Sequence, residues 1–141
     1  MVNPQQRKNL EAHIAGELAG DVDAALAPMC DHPRYVVPNY LLEGKAAIRA
    51  MYERALPHLP AENFAEYRRA LDDPRVAYFG ENHIVLEYTD DYPLHSGMVV
   101  VIHFEGDRLK SENTYYTSSS KVNAARFDDA FNQVPGVTPI P

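Results

Sequence analysis

The spacing of apolar residues changes partway along this chain, from the 3.6-residue period of a helix to the two-residue period of a strand, and that order narrows the folds open to it. Over Gln5 to Ala19, Leu10, Ile14 and Leu18 recur at four-residue spacing with Ala15 beside them, which predicts an amphipathic helix ended by Gly20. Asp21 suits the N-cap of a short second helix, because its carboxylate can accept the orphaned amide hydrogens that follow; Pro28 limits its length. Tyr35-Val36-Val37, between Pro33 and Pro38, reads as a short strand. Gly44 opens a third helix with Ile48, Met51, Tyr52, Ala55 and Leu56 on one stripe, stopped by Pro57 and Pro60. Beyond it, Ile84, Leu86 and Tyr88 alternate with His83, Val85 and Glu87. Gly97 to Phe104 and Leu109 to Thr117 flank a Gly106-Asp107 turn, which predicts an antiparallel hairpin. Between Phe64 and Phe79, Glu66-Tyr67-Arg68-Arg69 fits either the continuation of a helix or the start of a strand, and strand is favoured, with a turn at Asp72-Asp73-Pro74; Lys121 to Phe131 is read as a further helix before a proline-rich end. Helices first and antiparallel strands afterwards predict an α+β fold, with three N-terminal helices on one face of a bent sheet. No glycine-rich phosphate loop follows a strand, which disfavours a parallel dinucleotide-binding sheet.

At 141 residues the chain fits one domain, with a core over about residues 5–118 and an extension over 119–141. A net charge of −7, with 13 basic residues scattered along the chain, disfavours nucleic acid as a partner. Cys30 is the one cysteine, so an intrachain disulfide and a cysteine-based zinc cluster are both excluded, and Cys30 reads as a small buried apolar residue. His32, His58, His83, His95 and His103 show no metal-ligand spacing, and no metal is expected. The longest apolar run, Met98 to Ile102, is strand length, so no membrane span is expected and a cytoplasmic location is the reading.

Three strings carry a family resemblance: Gly20-Asp21-Val22-Asp23-Ala24 between the first helices, Gly44-Lys45-Ala46-Ala47-Ile48-Arg49 at the start of the third, and Val99 to Phe104 followed by Gly106 and Leu109. With the order of elements, the stretch from Leu10 to Thr117 resembles the nuclear transport factor 2-like superfamily, in particular its SnoaL-like polyketide cyclase and ketosteroid isomerase branches. The resemblance implies a cone-shaped, cystatin-like roll on a mixed, mostly antiparallel sheet, with a pocket under the helices and a homodimer through the outer sheet face. It implies no single reaction, because many activities share the architecture.

Laid on the ketosteroid isomerase pattern, Val37 and Val100 stand where that branch has its two functional aspartates, so the ordinary isomerase chemistry is not expected. His13 falls near the position of the oxyanion tyrosine and Tyr52 near a supporting tyrosine. His13 also lies beside the apolar stripe, where Glu17 one turn on could hold it as a surface pair, and Tyr52 also fits an ordinary core tyrosine. If Val100, Ile102 and Phe104 face the pocket, the family register turns Glu112, Thr114 and Tyr116 the same way, whereas a one-residue slip turns Glu112 outward. An inward Glu112 loses hydration and is poised as an acid or base. The pocket lining expected on this register is Leu10, Ile14, Tyr35, Val37, Ile48, Val100, Ile102, Phe104 and Thr114. The SnoaL-like cyclases place an acidic residue near where Tyr116 and Thr117 stand, a departure that weakens transfer of the aldol mechanism. His83 and His103 are expected to face outward or an interface, and His95, with Asp90, Asp91 and Tyr92, to sit in a loop that either rims the pocket or is simply polar, the second being favoured.

Two functional readings follow. One is an enzyme without cofactor, moving a proton on a small apolar carbonyl or polyketide-like molecule, with Glu112 as acid or base and His13, Tyr52 and Tyr116 orienting an oxygen. The other is a non-catalytic ligand-binding or dimeric interaction module.

Overall fold

A computed structural model of the chain describes residues 2–116 and 127–140, and of Tyr116 the backbone alone. Helix α1 spans Pro4–Ala19 and α2 Val22–Leu26, followed by β1 Met29–Val37, β2 Tyr40–Glu43 and α3 Lys45–Ala55. A 3-10 turn at Leu56–His58 leads to α4 Ala61–Ala70, then β3 Ala77–Phe79, β4 His83–Glu87, β5 Met98–Glu105 and β6 Arg108–Tyr116. A short α5, Asp129–Asn132, and β7, Val137–Pro139, complete the described elements. The strands form one mixed sheet in the order β3-β4-β5-β6-β1-β2-β7, in which β1 and β6 run parallel and the other described pairs antiparallel.

The α+β class and the helix-to-strand order match the sequence reading, and three differences have local causes. The segment read as strand after Phe64 is instead α4. Phe64, Tyr67, Ala70 and Leu71 recur at helical spacing and are all buried, while Arg68 and Arg69 keep to the outer side. Strand β1 begins at Met29, before Pro33, because the pairing with β6 breaks register between Met29 and Arg34 and so does not need an amide hydrogen from the proline. Strand β2 follows at once: Pro38 and Asn39, the latter at φ 70°, close a two-residue turn between Val37 and Tyr40. The helix read over Lys121 to Phe131 lies largely outside the described residues; within them, α5 occupies Asp129–Asn132.

Helix α1 settles where the site lies. Its cap is reciprocal: the Asn3 side chain accepts from the Gln6 amide at 2.8 Å, and the Gln6 side chain accepts from the Asn3 amide at 2.9 Å. Gln6 also donates to the Gly106 carbonyl at 2.8 Å, which ties the start of α1 to the β5–β6 turn. The buried stripe runs through Gln6, Leu10, His13, Ile14 and Glu17, whereas Leu18 is 40% exposed and Ala15 is exposed too. The helix is therefore rotated away from its purely apolar stripe, and three polar side chains go inward.

Gly16 lets α1 and α2 touch. A Cβ at this position would stand 2.3 Å from the Ala25 amide nitrogen, a backbone atom with no freedom to yield. We expect Gly16→Ala to lower unfolding free energy by about 1–3 kcal/mol, the usual cost of overpacking. Denaturant unfolding monitored by circular dichroism measures it.

Candidate active site

Strand phase places the central residue. Glu112 on β6 pairs with Tyr35 on β1 and with Ile102 on β5, and Ile102 pairs with Ile84 on β4. Tyr35, Ile102 and Ile84 are all buried, so Glu112 belongs to the row that faces the helices. On the other face, His83 and His103 are exposed cross-strand neighbours, as alternation predicts.

Three helices and β1 bring partners to Glu112. His13 Nε2 stands 3.7 Å from Glu112 Oε2 and 3.3 Å from Glu17 Oε1. Its other nitrogen, Nδ1, donates to the Ala25 carbonyl at 2.6 Å, since a carbonyl can only accept. The Tyr35 and Tyr52 hydroxyls lie 3.0 and 3.2 Å from His13 Nε2 and 3.2 Å from each other. Tyr52 donates to Glu17 Oε1 at 2.6 Å, and Tyr67 of α4 donates to Glu112 Oε2 at 3.2 Å. His13 is thus fully buried beside two carboxylates, and the surface pair with Glu17 considered from sequence is instead an interior one.

Burial opposes charge on His13, but the carboxylates of Glu17 and Glu112 outweigh it and raise the imidazole from its ordinary 6.5 to about 9. Burial first and then the charge of Glu17 raise Glu112 from 4.5 to about 7, against the imidazolium and the tyrosine hydroxyls, which pull it down. Burial and the nearby carboxylates hold Tyr35, Tyr52 and Tyr67 well above the usual phenol range, so each keeps its proton for donation.

A cavity of about 150 Å³ opens beside this cluster. Glu17, Glu112 and Thr114 form one part of its wall, and Val37, Met98 and Val100 an apolar part. Phe64, Tyr67, Tyr88 and His95 close it from α4 and the strand and loop that follow. Of the lining expected from sequence, Val37, Val100 and Thr114 are in this wall. Leu10, Ile14, Ile48, Ile102 and Phe104 point inward but are packed into the core, and Tyr35 belongs to the hydrogen-bonded cluster. His13 and Tyr52 likewise stand behind the wall. Tyr116 pairs through its backbone with Met98, and its side chain lies outside the described residues.

The sequence pattern singles out none of Glu17, Glu66, Tyr67 and Tyr88 as site residues, and offers His95 at the pocket rim only as the less favoured alternative. Of the two places the sequence allows it, His95 takes the pocket rim: it is buried in the cavity wall, its Nδ1 lies 2.5 Å from Glu66 Oε2, and its ring stacks on Tyr88 at 4.6 Å. The helical spacing of Phe64, Tyr67 and Leu71 was the available signal for α4, which carries both Glu66 and Tyr67. Glu17 Oε2 and the Tyr88 hydroxyl are buried in the wall without a hydrogen-bond partner among the described residues. Such atoms are costly unless something pairs with them, and they give the cavity an acceptor and a hydroxyl to offer a ligand. Among the described residues no group of three or more His, Cys, Asp or Glu side chains is arranged to hold a metal ion, and no helix is long and apolar enough to cross a membrane.

The two main groups bind a proton more tightly folded than unfolded, so the stability they contribute is fully present at low pH and is lost as pH rises: between about 4.5 and 7 for Glu112, and between about 6.5 and 9 for His13. Glu112→Gln abolishes the first loss. It should therefore raise unfolding free energy relative to the parent at pH 8 by on the order of 1–3 kcal/mol, with little difference at pH 4. Urea unfolding at the two pH values reads this directly.

No protein-family model and no curated protein matches the sequence. Solved structures do. The chain is similar to an NTF2-like protein of unknown function from Cytophaga hutchinsonii, at 14% identity over 79% of this chain and 89% of that one, with a TM-score of 0.56. A SnoaL-like protein of unknown function from Burkholderia thailandensis aligns at 17% identity over 84% and 99% of the two chains, TM-score 0.54. TerC, co-crystallised with polyporic acid, aligns at 13% identity over 81% and 92%, TM-score 0.50. At these identities the likeness is one of fold, and it agrees with the strand order and helix placement above: the chain has the nuclear transport factor 2-like fold, with neighbours in its SnoaL-like branch.

Proposed function

We propose that the cavity binds a small, largely apolar molecule bearing a carbonyl or similar oxygen, and that the protein moves a proton on it by acid–base catalysis. The observation that carries this is Glu112: a carboxyl on the cavity wall, raised to about 7 by burial and by Glu17, hydrogen-bonded by Tyr67. A group with that pKa holds and releases a proton at neutral pH, which is the optimum for general acid–base work. A volume of about 150 Å³ matches a molecule of roughly one ring, and the apolar wall at Val37, Met98 and Val100 fits such a body.

His13 has a positioning role in this reading. It stands behind the wall, and its imidazolium keeps two buried carboxylates from repelling each other unopposed. Tyr35 and Tyr52 hold it by hydrogen bonds, and Tyr67 orients the acid itself.

Glu112→Gln keeps the shape of the side chain and removes its titration. Acid–base function predicts a fall of about 10²-fold or more in turnover of, or solvent proton exchange into, a bound carbonyl compound, with the far-UV circular dichroism unchanged. Val37 and Val100 in the wall, where the isomerase branch has aspartates, favour a second reading as a ligand-binding protein without turnover. The same variant separates the two, because a binder retains its ligand affinity and has no exchange to lose.

The outer sheet face supports a homodimer. Tyr78 and Tyr115 are 52% and 50% exposed there, and Val85, Val99 and Val101 are half-buried between them in adjacent strands. A second copy against this face covers a patch that water otherwise meets. Sedimentation equilibrium should give twice the chain mass, and Val101→Lys should return the monomer mass; a monomer for the parent at all concentrations counts against the dimer.

A further inference from the structure

A second proton-handling pair faces the same cavity. His95 Nδ1 lies 2.5 Å from Glu66 Oε2, and a carboxylate can only accept, so the ring carries its proton on Nδ1. That leaves Nε2, which no described residue hydrogen-bonds, as the nitrogen available to a molecule in the cavity that His95 lines. The arrangement is a carboxylate fixing one imidazole tautomer so that the far nitrogen presents a lone pair. The ring is also held: it stacks on Tyr88 with 20° between planes, its amide donates to the Tyr92 carbonyl, and its carbonyl accepts from Met98.

The two histidines of the site are driven apart. Burial lowers His95 below its ordinary 6.5, with Glu66 and the more distant Glu17 pulling the other way, while two adjacent carboxylates raise His13 to about 9. The groups around His95 are Glu66 and, 4.0 Å from Glu66, Arg69 of α4, the Tyr88 hydroxyl at the end of β4, and the charge of Glu17 across the cavity. At neutral pH one histidine is a cation and the other a neutral base, the separation that assigns acid and base roles within one site. Helix α4 links the two centres through consecutive residues: Glu66 holds the base and Tyr67 holds Glu112.

We propose that His95 is a catalytic base of this site and that its substrate class is a small enolisable carbonyl compound of about one ring, an inference that rests on the acid–base reading of Glu112. The α C–H bond of the substrate breaks and its proton passes to Nε2. The freed electron pair forms the C=C bond as the C=O π bond breaks, and the carbonyl oxygen, receiving that π pair, takes the proton of Glu112. The products are the enol, the His95 imidazolium held by Glu66, and the Glu112 carboxylate. Return of the proton to the same or another carbon reverses the steps and regenerates both groups, so no oxidant or further reactant is required.

The test uses cyclopentanone and cyclohexanone as probes, with uptake of deuterium from D₂O at the α carbon followed by proton NMR. The parent should catalyse exchange with a bell-shaped pH profile, rising as His95 loses its proton and falling as Glu112 loses its own. His95→Gln should slow exchange by about 10²-fold and remove the rising limb, while Glu112→Gln removes the falling one. Glu66→Gln should move the rising limb to lower pH, which a merely structural role for Glu66 does not do. Nitrogen-15 spectra of the imidazoles at pH 7 give a readout independent of activity: His95 protonated on Nδ1 alone and His13 on both nitrogens. Exchange that is lost in Glu112→Gln but intact in folded His95→Gln overturns the role of His95 and leaves the reading of Glu112 standing. A proton on Nε2 of His95 at pH 7 overturns it as well, and exchange absent from the parent overturns both.

Discussion

A buried imidazole between two carboxylates is the constraint around which this molecule is arranged. Glu17 and Glu112 come from α1 and β6, and neither tolerates the interior alone; an isolated buried carboxylate costs several kcal/mol even after relaxation. His13 makes their company possible, and its own charge survives burial because both of them oppose the loss of its proton. The cluster is polar enough to need the tyrosine hydroxyls of β1, α3 and α4 beside the groups of α1 and β6, so five elements converge on it.

The same constraint explains the rotation of α1. A helix packed by apolar area alone would bury Leu18 and leave Glu17 in water. The structure does the reverse, because Gly16 lets the α2 backbone come close enough for the Ala25 carbonyl to take a hydrogen bond from His13. A hydrogen bond to a charged group contributes about 1.5–3 kcal/mol, comparable with burying one leucine. Packing, hydrogen bonding and proton affinity are therefore not separable here: moving the helix changes the pKa of the acid on the strand opposite.

The cavity next to this cluster joins two environments. On one side lie the charged groups that hold Glu112 near neutrality, and on the other a stacked Tyr88–His95 pair backed by Glu66. Val37, Met98 and Val100 give the wall an apolar part, and a lower local dielectric strengthens the electrostatic interactions beside it.

Much of the architecture could be read from residues close together in the chain. The Asp21 cap, the α3 stripe, the Gly106-Asp107 hairpin and the alternation around Leu86 are local patterns, governed by periods of 3.6 and 2 and by turn chemistry, and the residues that carry them lie within a few positions of one another. The inward phase of Glu112 was legible only on a family register, since alternation supplies two faces without saying which one is covered. Glu66 and Tyr67 were lost because a helix with arginines on its outside looks, over a short window, like a polar strand. His95 fits either a pocket rim or a solvated loop: a histidine among aspartates, tyrosine and glycine carries no signal that chooses between them until the fold brings Glu66, 29 positions earlier, against it. Neighbouring residues alone were enough for the first three helices, the β5–β6 hairpin and the α+β class, because caps, turns and periodicity act over a few positions. Which ionisable groups are buried together came from the fold, because desolvation and charge act through distance in space, and the residues concerned are drawn from α1, α4, β6 and a loop far apart in the chain.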